Sequence, residues 1–158
     1  MKTTKVRSLR GTITVDGGGK AEKQLILNDQ LINRGLKVTG FFVWPQVVSA
    51  FQSAQFNAIL SYARLSNANV EMDGGDNTQL GWAFQANTAE AAPTLAASFS
   101  GYFNQLIDPD HIINRDLFIS MRNASTRTYN YLVVCELLEL TDDEAIVTII
   151  KENSQSIE

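Results

Sequence analysis

Along most of this chain, apolar residues recur at every second position in short runs separated by turn residues. Only at the C-terminal end does the spacing change to that of a helix. The stretch from Asn130 to Gln155 holds both patterns. In its first half, Leu132, Val134, Glu136, Leu138 and Leu140 fall on one side of an extended strand, and Tyr131, Val133, Cys135, Leu137 and Glu139 fall on the other. Apolar side chains dominate both sides, which predicts a strand in the middle of a packed sheet. Thr141 then opens a helix. Its hydroxyl can cap the backbone N–H of Glu144 while the Glu144 carboxylate reaches back, a capping box. Asp142 and Asp143 add negative charge to the first turn, where the helix dipole favours it. Ala145, Ile146, Ile149 and Ile150 repeat at helical spacing, so the helix has one apolar face to press against a sheet or a neighbouring copy.

The alternation predicts further strands upstream. Val6–Val15 places Leu9, Ile13 and Val15 on one side, with Arg7 and Gly11, and Ser8, Arg10, Thr12 and Thr14 on the wetter side. Asp16-Gly-Gly-Gly19 ends it in a turn. Gln24–Leu31 is a second apolar stretch. In Leu36–Trp44, strict alternation puts Leu36, Val38, Gly40, Phe42 and Trp44 on one face and Lys37, Thr39, Phe41 and Val43 on the other, and Pro45 stops the strand. Gln46–Ser53 fits a short helix or a loop. Strands are also expected at Ala58–Leu65, Thr78–Ala86, Ser98–Leu106 and Asp116–Met121. The loops Asn67–Asn77, Asn87–Ala97 and Arg122–Thr128 lie between them. No alternation of strands with helices occurs, which argues against a parallel sheet. The expected fold is all-β: an antiparallel β-sandwich wound as a single jelly roll, closed by one C-terminal amphipathic helix. A seven-stranded immunoglobulin-like sandwich is the alternative. The domain reading is a basic arm over residues 1–10, a sandwich over 11–140, and a helix with tail over 141–158.

Composition changes this picture in two places. At 158 residues, with 44% hydrophobic and 19% charged residues, the chain suits one globular domain whose charge is sparse. Asn, Gln, Ser and Thr fill that deficit, a surface compatible with extensive protein–protein contact. The charge is also uneven. Residues 1–37 carry eight basic and three acidic side chains, a net +5, whereas residues 38–158 carry −9. Lys2, Lys5, Arg7 and Arg10 make the first ten residues a candidate contact for nucleic acid; a solvated terminus is the plainer reading. No apolar run reaches the roughly 18 residues of a membrane span, so no membrane partner is expected. The first ten residues lack the apolar core of a signal peptide. The Asn123-Ala-Ser125 sequon is therefore expected to be unused.

Candidate chemistry is thin. Cys135 is the single cysteine, which excludes an internal disulfide and fits a buried thiol. Glu71, Asp73 and Asp76 form one acidic loop cluster, and Asp108, Asp110 and His111 another. Oxygen-rich loops can hold calcium, but these are also ordinary turn residues. His111 is the only histidine, and none of Ser49, Ser98 or Ser120 sits in a nucleophile elbow. No cofactor or metal is expected, and the chain is not read as an enzyme. Arg115-Asp116 orders a turn or pairs between subunits. Phe41, Phe42, Trp82 and Phe84 read as core, with an exposed aromatic platform as the alternative.

The chain order carries a resemblance. It runs through the basic start, Leu36–Trp44, Asp-Asn-Thr-Gln-Leu-Gly-Trp82 and Ile107-Asp-Pro-Asp-His-Ile-Ile-Asn-Arg-Asp-Leu-Phe118. Tyr131-Leu-Val-Val and the Leu-Thr-Asp-Asp-Glu-Ala-Ile helix follow. This resembles the small jelly-roll capsid proteins of small icosahedral viruses, although the Arg-rich arm usual in single-stranded DNA viruses is nearly absent. The resemblance implies a homo-oligomeric shell subunit residing in the virion, with Lys2, Lys5, Arg7 and Arg10 turned inward to viral nucleic acid. Ile146, Ile149 and Ile150 would then pack on the sheet or a neighbouring subunit. The competing class is a ligand-binding sandwich, carbohydrate-binding or lectin-like, with Trp82 and the loop acids as its site.

Overall fold

A computed structural model describes residues 2–17, 19–26, 33–47, 56–65, 70–87, 100–123 and 126–155. Eight strands and one helix follow in chain order: β1 (Lys2–Val15), β2 (Lys20–Leu25), β3 (Arg34–Pro45), β4 (Phe56–Ser61), β5 (Gln79–Asn87), β6 (Ser100–Ile107), β7 (Leu117–Asn123), β8 (Arg127–Glu139) and α1 (Asp142–Gln155). They form two antiparallel sheets, ordered β1-β8-β3 and β2-β7-β4-β5-β6. The pairing is nested: β1 with β8, β2 with β7 and β4 with β5, while β3 and β6 lie together where the sheets meet. A long antiparallel ribbon rolled on itself gives these pairs, so the sandwich is a jelly roll.

The inner faces of the two sheets make one core. Val15, Phe41, Val43, Leu60, Leu117, Ile119, Met121, Tyr129 and Val133 are fully buried in it. The expected central strand is β8, which is flanked on both sides and turns Tyr129, Tyr131, Val133 and Cys135 inward. Gly11 of β1 makes room for it, because a Cβ there would stand 2.7 Å from the Tyr131 hydroxyl oxygen. A smaller cluster of Ile59, Leu65 and Val70, with Trp82 against it, covers part of the outer face of the five-stranded sheet. Val70 holds a left-handed backbone there (φ 52°), and its carbonyl accepts from Asn57 Nδ2.

Three strand readings are corrected. In β3, strict alternation fails at Thr39, where the register with β8 shifts between Val38 and Gly40. The bulge turns Leu36 and Val38 to the same side as Phe41 and Val43, and Phe42 and Trp44 to the half-buried outer face. The second strand is Lys20–Leu25, ahead of the Gln24–Leu31 stretch expected for it; residues 27–31 lie outside the described residues. Its apolar signal is masked by lysines whose stems run along the protein. Lys20 Nζ donates to the Leu65 carbonyl, and Lys23 Nζ donates to the Thr12 carbonyl and lies 5.4 Å from the Tyr131 ring centroid. Finally, the segment read as a basic arm is the first part of β1. From Lys2 it pairs with β8, with Lys2 opposite Glu139 and Arg10 opposite Leu132. The apolar partner strand draws it into the sheet.

Candidate functional site

The end of the sandwich where β8 gives way to α1 gathers the most unusual surface of the molecule. The capping box forms: the Thr141 N–H donates to Glu144 Oε2 at 2.9 Å, and the Glu144 N–H donates to Thr141 Oγ1 at 3.3 Å. The bond from Thr141 is the main reason the Glu144 carboxyl titrates below the usual carboxylate range. The cap fixes where the helix starts, and Leu138, Leu140 and Ile112 fix its seat, into which Ala145 is fully buried. Thr148, also buried, turns its hydroxyl to the Glu144 carbonyl at 2.9 Å.

That seat decides what faces water. Ile146, Val147 and Ile150 are 53%, 57% and 59% exposed, whereas Ile149 is half-buried. The expected single apolar face of Ala145, Ile146, Ile149 and Ile150 is thus divided, because the small residues Ala145 and Thr148 take the sheet side. Val147 was missed, although helical spacing sets it beside Ile146 and Ile150. Too many sides of this helix are apolar for one sheet to cover.

A groove of about 450 Å³ runs along α1. Ile112, Leu140 and Thr148 line it from below, with Lys37, Asp110 and His111 on one wall and Asp143, Val147 and Lys151 on the other. The 108–113 segment is held to β3 by reciprocal backbone bonds between Leu36 and Ile113, 2.8 and 2.9 Å long. This sets His111 beside the strand. Its Nε2 accepts from the Val38 N–H at 3.3 Å and its Nδ1 faces the Asp108 carbonyl, so both ring nitrogens are engaged. Burial holds its pKa below 6.5, against the opposing pull of Asp108.

The other candidates are dispersed. Lys5, Arg7 and Arg10 are exposed on β1, but alternation puts Arg7 and Arg10 on opposite faces; Lys2 lies at the same strand's start. Asp73 Oδ1 accepts the Gly75 N–H, Asp76 Oδ1 accepts the Thr78 N–H and hydroxyl, and Asp108 Oδ1 accepts the Asp110 N–H. These carboxylates serve their own turns. Among the described residues no three acidic, histidine or cysteine side chains converge as a metal site would require, and Glu71 joins none. The Trp82 indole N–H donates to Gln79 Oε1 at 2.8 Å, beside the cluster of Ile59, Leu65 and Val70. Arg115 stacks over Tyr62 at 5.9 Å, and Asp116 Oδ2 accepts from Gln24 Nε2 at 3.1 Å. Ser120 is buried on β7; Ser49 and Ser98, the 88–97 part of the Ala-rich loop and the Ser125 end of the sequon lie outside the described residues. Burial raises the Cys135 thiol to about 12. No described helix is long and apolar enough to cross a membrane.

No family model matches the chain, and no curated protein matches it. Among solved structures it is similar to the crystal structure of Yersinia pseudotuberculosis-derived mitogen (YPM), at 14% identity, 88% coverage of each chain and a TM-score of 0.33.

Proposed function

We propose that this chain is a self-assembling subunit of a viral capsid shell, structural rather than catalytic, with copies of itself as its main partner. The observation that carries the reading is the row Ile146, Val147 and Ile150, held exposed on a firmly seated helix at one end of a jelly-roll sandwich. Exposed apolar side chains set side by side on a rigid element are costly in water and favour a surface that is covered. Ile149 is half-buried on the same helix. The sequence resemblance to small jelly-roll capsid proteins supports the same class. In that role the chain resides in the virion, and the exposed Lys5, Arg7 and Arg10, with Lys2 beside them in sequence, supply sequence-independent attraction to viral nucleic acid. The carbohydrate-binding or lectin-like alternative draws less support, since Trp82 and the loop acids are engaged within the fold.

The test is an I146D/I150D double variant, compared with the native chain by light scattering. Both positions are exposed, so the fold is expected to persist by circular dichroism while large particles disappear. Particles of unchanged size would remove the helix face from the assembly.

A further inference from the structure

The groove beside α1 carries a charge pattern that selects one occupant. Asp143 and Lys151 both border the groove and are exposed, and they stand four residues to either side of Val147. At the rise of an α-helix they are separated by about 12 Å along the axis, with Val147 midway. Among the described residues, neither is in an ion pair. A helix with this pattern is complementary to itself when turned end for end about Val147, because acid meets base at both ends. Lys37 and Asp110 on the opposite wall again offer one charge of each sign, while Glu144, which also borders the groove, has its carboxylate taken up by the Thr141 N–H. A strongly acidic partner would meet Asp110, Asp143 and Glu144 in this groove, and a strongly basic one would meet Lys37 and Lys151.

We propose that α1 is a two-fold contact between copies of this chain. Two α1 helices lie antiparallel with Val147 on the axis, each bordering the other's groove, and Asp143 of each copy pairs with Lys151 of the other. An isologous contact makes each interaction twice, so a modest pair counts double. Ile146 and Ile150 flank Val147, so their exposed apolar surface leaves water in the same step. The inference rests on the assembly reading, of which it names one contact; a closed shell needs others.

The test is a charge-reversal cycle on the full chain: D143K, K151D and the D143K/K151D double variant, followed by sedimentation over a concentration series. Each single variant is expected to weaken self-association about ten-fold, since two attractive pairs become two repulsive ones. The double variant restores it, which a loss of helix stability from D143K alone would not do. Thermal melts check that every variant is folded. Single variants that associate like the native chain, or a double variant no better than the singles, overturn the two-fold contact; particles that persist in them leave the shell reading standing. Dimers without closed particles support the contact and count against the shell. A native chain that stays monomeric at every concentration overturns both.

Discussion

The backbone N–H of Val38 donates to Nε2 of His111, 3.3 Å away, while Nδ1 of the same ring faces the carbonyl of Asp108. The ring is therefore neutral, with its proton on Nδ1. A second proton would set an N–H against the N–H of Val38. Burial, the main cause, depresses the folded pKa below 6.5; Lys37 acts in the same direction and Asp108 and Asp110 oppose it. Asp143, Glu144 and Lys151 face the ring's surroundings from across the groove. A depressed pKa contributes stability that is full above the unfolded value near 6.5 and is lost as pH falls from there toward the folded value. The melting temperature of the native chain is expected to fall more steeply below that pH than that of a His111→Asn variant. Parallel pH profiles would show that the ring is not buried neutral.

The helix start offers a second test. Thr141→Ala removes the hydroxyl that caps the Glu144 N–H and is expected to cost about 1 kcal/mol in denaturant unfolding. Hydrogen exchange of the Ala145–Thr148 amides should rise in the same variant. The back-bond from Glu144 is strongest when its carboxylate is charged, so it holds above the ordinary carboxylate pKa and weakens as pH falls through the depressed one. Unchanged exchange in Thr141→Ala would mean that packing of Ala145 alone fixes the helix.

Much of this architecture was legible because the physical signals were local. The capping residues are adjacent in sequence, and the two-sided apolar run of β8 announces its flanked position. The β3 bulge was not legible. A single extra residue at Thr39 leaves no mark except that two consecutive residues, Gly40 and Phe41, are both buried. β2 was hidden by lysines that use their stems as apolar surface. The groove could not be read at all, since it is assembled from Lys37 on β3, the 109–112 segment and α1, which meet only in the fold. The basic residues were legible as residues but not as a strand: the partner that claims them, β8, lies more than a hundred positions away.

Gly11 and Tyr131 test the packing between β1 and β8. A Cβ at position 11 would stand 2.7 Å from the Tyr131 hydroxyl oxygen and 3.0 Å from its ring, and Tyr131 is buried. Gly11→Ala is expected to destabilise by about 1–3 kcal/mol, as overpacking does. In a Tyr131→Leu background the same substitution should cost much less. Equal costs in both backgrounds would remove the steric explanation.

Cys135 is buried on β8, and its thiol is raised to about 12 by burial, with Arg7 pulling weakly the other way. Little thiolate exists at neutral pH, so the native protein is expected to resist alkylation and to react stoichiometrically once unfolded. Rapid native labelling would mean that the β1–β8 region opens readily.

The central claim is assembly, and negative-stain electron microscopy of the purified, recombinant chain tests it most directly, paired with absorbance at 260 and 280 nm. Uniform closed particles are the expected result, with excess absorbance at 260 nm where Lys5, Arg7 and Arg10 retain nucleic acid. A field of small discrete molecules with no particles, at any protein concentration, would contradict it.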